Sequence, residues 1–313
     1  MSWTTNPLAC GRPVNDHQTL FTGRPVNNTP IDYPRVVYYC FSDLANSACS
    51  KSLDGGVTFL PTGSPAFAAD FYADGNPCPG WHGQGVAGPD GTIYLPKAHC
   101  GGPWLAVSRD EGLTWTRVRV AKGSTPRGGT DPAVAVDRRG NVYYLWIAND
   151  RLPYLAVSRD GGLTWGNPMM VGAPRVRESN LATIAASPTG GIALAYVGSE
   201  NSLFQECGTG NGCRDETIMP ITPTWNGYIA IAFDAVGRRP LFYTARVNRL
   251  SDPLVEGSCG PGRCPWLLDF IDVQIDARGR PWATFVDGVV PNGSAGSEGE
   301  GLVATFTNAA PLR

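Results

Sequence analysis

Three histidines serve the whole 313-residue chain. Two of them, His17 and His82, stand in short polar segments that also carry carboxylates. The segments are VNDHQT (residues 14–19), PGWHGQ (79–84), RGGTDP (127–132), RVRESN (175–180) and LLDFID (267–272). They supply Asp16, His17, His82, Asp131, Glu178, Asn180, Asp269 and Asp272, with Arg127, Arg175 and Arg177 alongside. Imidazole beside carboxylate suits general acid–base chemistry, and His17, His82, Asp131 and Glu178 are the catalytic candidates. His17, His82, Asp131 and Asp269 are also the donor types that hold a divalent metal such as Ca or Zn. The arginines suit an anionic ligand. A plainer reading is that these groups cap strands and fill a channel. Either way, five segments far apart in sequence must be gathered in one place.

The elements following each segment suggest how. AVAVDRRGNVYYLWI (133–147) is two β-rich runs joined by an Asp-x-x-Gly turn, and parallel versions start at Gly85, Thr183 and Asp272. His82 and Asp131 both stand nine residues before the turn glycines, Gly91 and Gly140; Glu178 and Asp269 are displaced from that register by a few residues.

A second repeated phrase is sharper. AVSRDEGLTW (106–115) returns as AVSRDGGLTW (156–165), and SKSLDGGVTF (50–59) is an earlier copy. The shared frame is Ser-x-Asp-x-Gly-x-Thr-aromatic: Ser52, Asp54, Gly56, Thr58 and Phe59; Ser108, Asp110, Gly112, Thr114 and Trp115; Ser158, Asp160, Gly162, Thr164 and Trp165. The Asp accepts hydrogen bonds from the backbone of the turn it opens. The Gly supplies a conformation closed to other residues, and the aromatic packs between sheets. These carboxylates are therefore structural staples rather than catalysts. A repeat of about 50 residues marks a propeller or a solenoid.

The three copies resemble the Asp-box, or BNR, repeats of the sialidase-like β-propellers. That resemblance implies an all-β propeller of four-stranded antiparallel blades, with Asp-boxes on the face away from the ligand. Five blades are expected, at about 17–64, 83–122, 130–173, 180–248 and 268–308, within one domain covering 1–313. Residues 1–6 would complete the last blade and close the ring, and six blades is the alternative. The resemblance also implies an exo-sialidase-like glycosidase with three arginines, a Tyr–Glu pair and an acidic residue. Arg35 in YPRVVYY, Arg127 and Arg177 are the arginine candidates, although no Arg-Ile-Pro sequence is present. Tyr72 and Tyr243 are the tyrosines to consider, and Asp70 and Asp74 the acids. Trp81, Tyr72 and Asp269 join the arginines as substrate-binding candidates, and Phe67, Phe71 and Trp225 are further aromatics able to stack on sugar. A glycan or glycoconjugate is the expected partner. The alternatives are a non-catalytic propeller that binds a glycan or a protein, and a metal-centred hydrolase on the central axis.

Bulk properties narrow the classes further. A net charge of −2 gives no field to attract nucleic acid, and no run of ~20 apolar residues offers a membrane span. Of 25 basic residues only Lys51, Lys97 and Lys122 are lysines. Eight of the nine cysteines form local pairs, Cys40–Cys49, Cys78–Cys100, Cys207–Cys213 and Cys259–Cys264, leaving Cys10 over. Short-range pairs in a chain with 39 Gly and 27 Pro point to disulfides and a secreted protein, although the chain opens without a signal peptide.

Overall fold

With one exception, strands pair with their neighbours in sequence in the computed structural model, which describes residues 15–43, 45–73, 76–78, 81–98, 101–123, 131–202, 222–257, 270–288, 300–306 and 310–312. The first sheet holds β1 (Asp16–Gly23), β2 (Val36–Asp43), β3 (Asn46–Ser52) and β4 (Leu60–Pro61). A two-stranded ribbon, β5 (Tyr72–Ala73) and β6 (Asn76–Pro77), follows. The second sheet is β7 (Val86–Ala87), β8 (Ile93–Lys97), β9 (Trp104–Ser108) and β10 (Thr116–Arg119). The third is β11 (Ala133–Val136), β12 (Val142–Ile147), β13 (Pro153–Ser158) and β14 (Met169–Met170). The fourth is β15 (Glu178–Ala186), β16 (Ile192–Ser199), β17 (Thr224–Ala232) and β18 (Tyr243–Arg246), with β19 (Val255–Glu256) also on β17. The last has three strands among the described residues: β20 (Asp272–Ile275), β21 (Pro281–Asp287) and β22 (Glu300–Thr305). Residues 1–6, expected to add its fourth strand, lie outside the described residues. The chain is thus all-β, built of several four-stranded antiparallel sheets, as a propeller requires.

Each neighbouring pair of sheets encloses its own core. Leu95 and Ala106 meet Cys40 and Phe67 between the first and second sheets, and Tyr94 and Val107 meet Val134 and Tyr144 between the second and third. Tyr143 and Leu145 meet Ile184 and Tyr196, and Ala195 and Ile229 meet Val273 and Phe285. Middle strands are therefore covered on both faces, which explains the unbroken apolar run of β12 where a one-sided strand would alternate. Cys40 and Cys49 face each other across β2 and β3 and form a disulfide. Cys78 is buried and disulfide-bonded; its expected partner Cys100, like Cys10 and the pairs Cys207–Cys213 and Cys259–Cys264, lies outside the described residues.

The reversals at one end of the sheets repeat to within a few tenths of an ångström. In all three Asp-box turns the Ser Oγ donates to the Asp at 2.7 Å, and the motif glycine N–H donates to that Oγ at 2.8 Å. The Thr N–H donates to the same carboxylate at 2.9 Å, with its hydroxyl on the other oxygen. The residue before the motif glycine also needs a positive φ, 73° at Gly55 and 72° at Gly161. The second copy puts Glu111 there, at 60°, a conformation that costs a non-glycine residue about 1 kcal/mol or more.

That strain has a return. The Glu111 carboxylate is buried and accepts from the backbone N–H groups of Val26 (2.7 Å), Asn27 (2.9 Å) and Asn28 (3.2 Å), from the Asn28 side-chain amide, and from Lys51 Nζ at 2.8 Å. It ties the β1–β2 loop of the first sheet to the turn of the second. Burial alone would raise its pKa; Lys51 and the loop donors outweigh that and hold it at about 2. A depressed carboxyl contributes stability above its ordinary value of 4.5, and that contribution is lost as pH falls through about 2. Glu111→Ala should therefore cost about 3 kcal/mol at pH 7. The gap between variant and parent, read by urea denaturation, should narrow from pH 5 to pH 2; a gap independent of pH would show that the anchor is not ionic.

Candidate functional site

β1 begins with a bulge. Its register with β2 shifts between Asp16 and Thr19, and His17 sits in the shifted stretch with φ 49° and its N–H on the Asp16 carboxylate. β15 does the same between Asn180 and Thr183, placing Leu181 at φ 47° with its N–H on the Asn180 side chain. Bulges re-aim a side chain at the edge of a site. His17 Nδ1 lies 2.5 Å from Asp131 Oδ2, just ahead of β11. Its ring stacks on Trp81, ahead of β7, at 4.8 Å and 12°, and meets Phe270, ahead of β20, edge-on at 6.0 Å. The leading ends of four sheets thus converge on one imidazole. His17 is 7% exposed, whereas Trp81 and Phe270 are 36% and 49% exposed and form an open aromatic rim. With Nδ1–H donating to the carboxylate, the neutral ring carries its acceptor lone pair on Nε2.

His82 lies deeper, at 1% exposure, with its Nδ1–H donating to the Gly83 carbonyl at 2.7 Å. That bond makes Nε2 an acceptor, and Nε2 is buried with no hydrogen-bond partner among the described residues. Burial pushes the His82 pKa down to about 4, and the cation of Lys97 pushes the same way; the Gly83 carbonyl and Asp131 oppose them. Lys97 closes β8 as a fully buried amine, 3.2 Å from Ser47 Oγ and 5.2 Å from the centre of the Phe67 ring. Burial brings its pKa to about 7. Nothing in its local sequence, IYLPK, distinguishes it from a surface lysine at a strand end.

Beneath this cluster the described residues Gln84, Asp131, Pro132, Ala133, Leu181, Ala182, Thr183, Phe270 and Ile271 line a cavity of about 20 Å³, space for one water. The lining obeys one register: Leu181 and Phe270 stand nine residues before the positive-φ turn glycines Gly190 and Gly279, as His82 and Asp131 do before Gly91 and Gly140. Leu181 and Phe270 carry no sequence signal of their own, because an apolar residue at this register is indistinguishable from an ordinary strand entry. Glu178, three residues earlier than Leu181, turns to Ser202, whose hydroxyl donates to it, and burial raises its pKa, with Arg151 nearby opposing that.

The other candidates scatter. The pairing of Gly23 with Val36 and of Asp16 with Ser42 puts Arg35 at the opposite end of the first sheet from His17. The Arg177 N–H donates to the Ser199 carbonyl beside Glu178. Phe67 and Trp225 are fully buried, so neither faces a sugar, and Tyr243 is exposed on β18. Tyr72 is placed in β5; Arg127, Asp269 and Asp74 lie outside the described residues, as does the third histidine, His99. A Tyr–Glu pair that the sequence did not suggest does occur: Tyr228 donates to Glu200 at 2.8 Å, with Arg175 and Arg246 on the same carboxylate at 3.3 and 3.4 Å. Burial, then the bond to Glu200, hold the Tyr228 hydroxyl well above the usual range, so it stays protonated. Among the described residues no three His, Cys, Asp or Glu side chains are grouped to hold a metal ion, and Asp269, the fourth expected ligand, lies outside them.

Histidine NMR checks the buried half of the cluster. Of the three imidazoles, one should remain a neutral Nδ1–H tautomer from pH 7 to about pH 4, and His82→Gln should remove that signal. Three imidazoles all titrating near 6.5 would show that His82 is hydrated.

No family model matches the chain, nor does any curated protein. Among solved structures it is similar to a protein of unknown function from Dyadobacter fermentans, at 15% identity over 91% of this chain and 74% of that one, with a TM-score of 0.52. It is similar to a polysaccharide lyase, an ulvan lyase of family PL25 bound to a saccharide of GlcA and Rha3S, at 11% identity over 95% of this chain and 73% of that one, with a TM-score of 0.51. An intramolecular trans-sialidase from Ruminococcus gnavus matches at 13% identity over 77% of this chain and 46% of that one, with a TM-score of 0.48. What the first two likenesses carry is the fold, an all-β chain of antiparallel sheets.

Proposed function

We propose that the protein is a secreted, carbohydrate-active β-propeller of five blades, closed by its N-terminal strand, which works on a glycan at the axial mouth. The observation that carries this reading is the His17–Asp131 pair set between Trp81 and Phe270. Aromatic faces take the C–H faces of sugar rings as they take other apolar groups. A histidine oriented by a carboxylate is a general acid or base for breaking a glycosidic bond. The small cavity behind these residues, about 20 Å³, supports a sugar held on the rim rather than inside a channel. The ulvan lyase likeness supports a carbohydrate ligand in general, and the three Asp-box turns support the propeller. The Cys40–Cys49 bond supports an oxidising, extracellular location. No helix among the described residues is long and apolar enough to cross a membrane.

A second reading, glycan binding without turnover, draws on Leu181 and Phe270. Two of the positions facing the axis are apolar and contribute no chemistry.

A panel of neutral, sialylated and uronate-containing glycans, followed by mass spectrometry of products, separates the two. On a substrate that turns over, His17→Ala and Asp131→Asn should each lower kcat by about 10²- to 10⁴-fold. Trp81→Ala should chiefly raise KM, by about tenfold. Binding without product would support the second reading. Parent-like kinetics in both His17 and Asp131 variants would remove the first.

A further inference from the structure

The sheets end, opposite the histidine mouth, in a face studded with arginine. Arg109 and Arg159 lie in Asp-box turns, Arg138 and Arg139 in the β11–β12 turn, Arg238 and Arg239 in the β17–β18 turn, and Arg278 and Arg280 in the β20–β21 turn. Antiparallel alternation puts all of these reversals at one end. The bonds between turns agree: Arg138 N–H donates to the Pro188 carbonyl, and Ala235 N–H to the Gly190 carbonyl. All eight side chains belong to exposed residues, and none forms an ion pair with a carboxylate among the described residues. The acids of this end are engaged otherwise. Asp54, Asp110, Asp160, Asp137 and Asp276 accept backbone N–H groups within their own turns. Asp90 accepts from Thr92 in the β7–β8 turn, and Asp32 and Asp234 are exposed carboxylates in the β1–β2 loop and at the start of the loop that carries Arg238.

A groove of about 450 Å³ runs between the third and fourth sheets at this end, lined among others by Arg159, Thr164, Trp165, Asn167, Val236 and Arg238. Arg159 is held in it, donating to the Val236 carbonyl of the next sheet. Trp165 is anchored edge-on against Tyr144 at 6.0 Å and is only partly buried. Guanidinium groups present planar donors that match carboxylate and sulfate, and a fixed indole offers a face to a pyranose. The volume is within the usual range of a ligand site. Nucleic acid fits less well, because the chain as a whole carries −2.

We propose that this groove binds an anionic oligosaccharide, a stretch of chain bearing carboxylate or sulfate groups, at a second site separate from the axial mouth. Arg159 and Arg238 grip the anionic groups, and Trp165 supports the ring between them. The carbohydrate class rests on the reading of the axial site, but the groove does not depend on catalysis there.

Calorimetric titration of the full chain tests it with oligogalacturonate and dextran sulfate as the two anionic probes, neutral dextran as the control and poly-dT as the competing class. Parent protein should bind one or both anionic probes, more weakly as salt rises, and should not bind neutral dextran. The tighter probe identifies the anionic group. Arg159→Ala with Arg238→Ala should weaken that binding at least tenfold without a change in Tm. Lys122→Ala, exposed beyond the other end of β10, should leave it unchanged. His17→Ala should also leave it unchanged, which separates the groove from the axial site. Lack of binding to both anionic probes, equal binding by the double variant, or tighter binding of poly-dT would overturn the proposal.

Discussion

A chain that reverses direction leaves backbone N–H groups without a strand to receive them, and this fold meets that need with side-chain oxygens. Asp54, Asp110 and Asp160 accept from the residues that follow them. Asp137 accepts from Arg139 and Asn141, Asp276 from Arg278 and Arg280, and the Ser187 hydroxyl from Gly191. Each bond is short-range in sequence, and each sets where a hairpin turns. Once the turn is fixed the register is fixed, because a slip of one residue would send every buried side chain to the opposite face. The apolar cores between sheets then follow from alternation along strands already in place.

The same register decides what faces the axis. Counting back from the turn glycines leads to His82, Asp131, Leu181 and Phe270, and the bulge in β1 brings His17 to the matching place. Parallel contact between Gln84 and Ala133 seats the leading ends of the second and third sheets side by side. Among the described residues the cavity lined by Asp131, Leu181 and Phe270 holds little more than a water, while Trp81 and Phe270 stay open beside His17. The chemistry of the mouth is thus a product of turns at the far end of the strands.

Much of this was legible in the sequence because its signals are local. The Ser-x-Asp-x-Gly-x-Thr frame holds its own hydrogen bonds within a few residues, and the spacing from His82 and Asp131 to their glycines is a count along one hairpin. What stayed hidden depends on contacts between sheets. No local feature marks the β1 bulge that swings His17 toward Asp131, more than a hundred residues away. Lys97 reads as an ordinary lysine until Phe67 covers it. Phe67 and Trp225 look like sugar platforms in sequence and become core once neighbouring sheets close over them. Arg35, chosen by likeness to a motif rather than by register, lies at the wrong end of its sheet. Glu111 is the opposite case: the one residue by which the second decapeptide departs from the third inside the turn is visible at once, but its purpose lies in a loop 83 to 85 residues earlier.

The placing of His17, His82, Asp131, Leu181 and Phe270 on a shared backbone position has a consequence for how such a molecule can change. Two imidazoles, a carboxylate, an aliphatic chain and a phenyl ring all occupy that position, so the backbone there tolerates very different chemistry. The groups that set the architecture stand nine residues away, in the turns. Stability and specificity are therefore written at opposite ends of the same strands. New ligands are open to this protein through exchanges at a few inward sockets, with the frame left as it is.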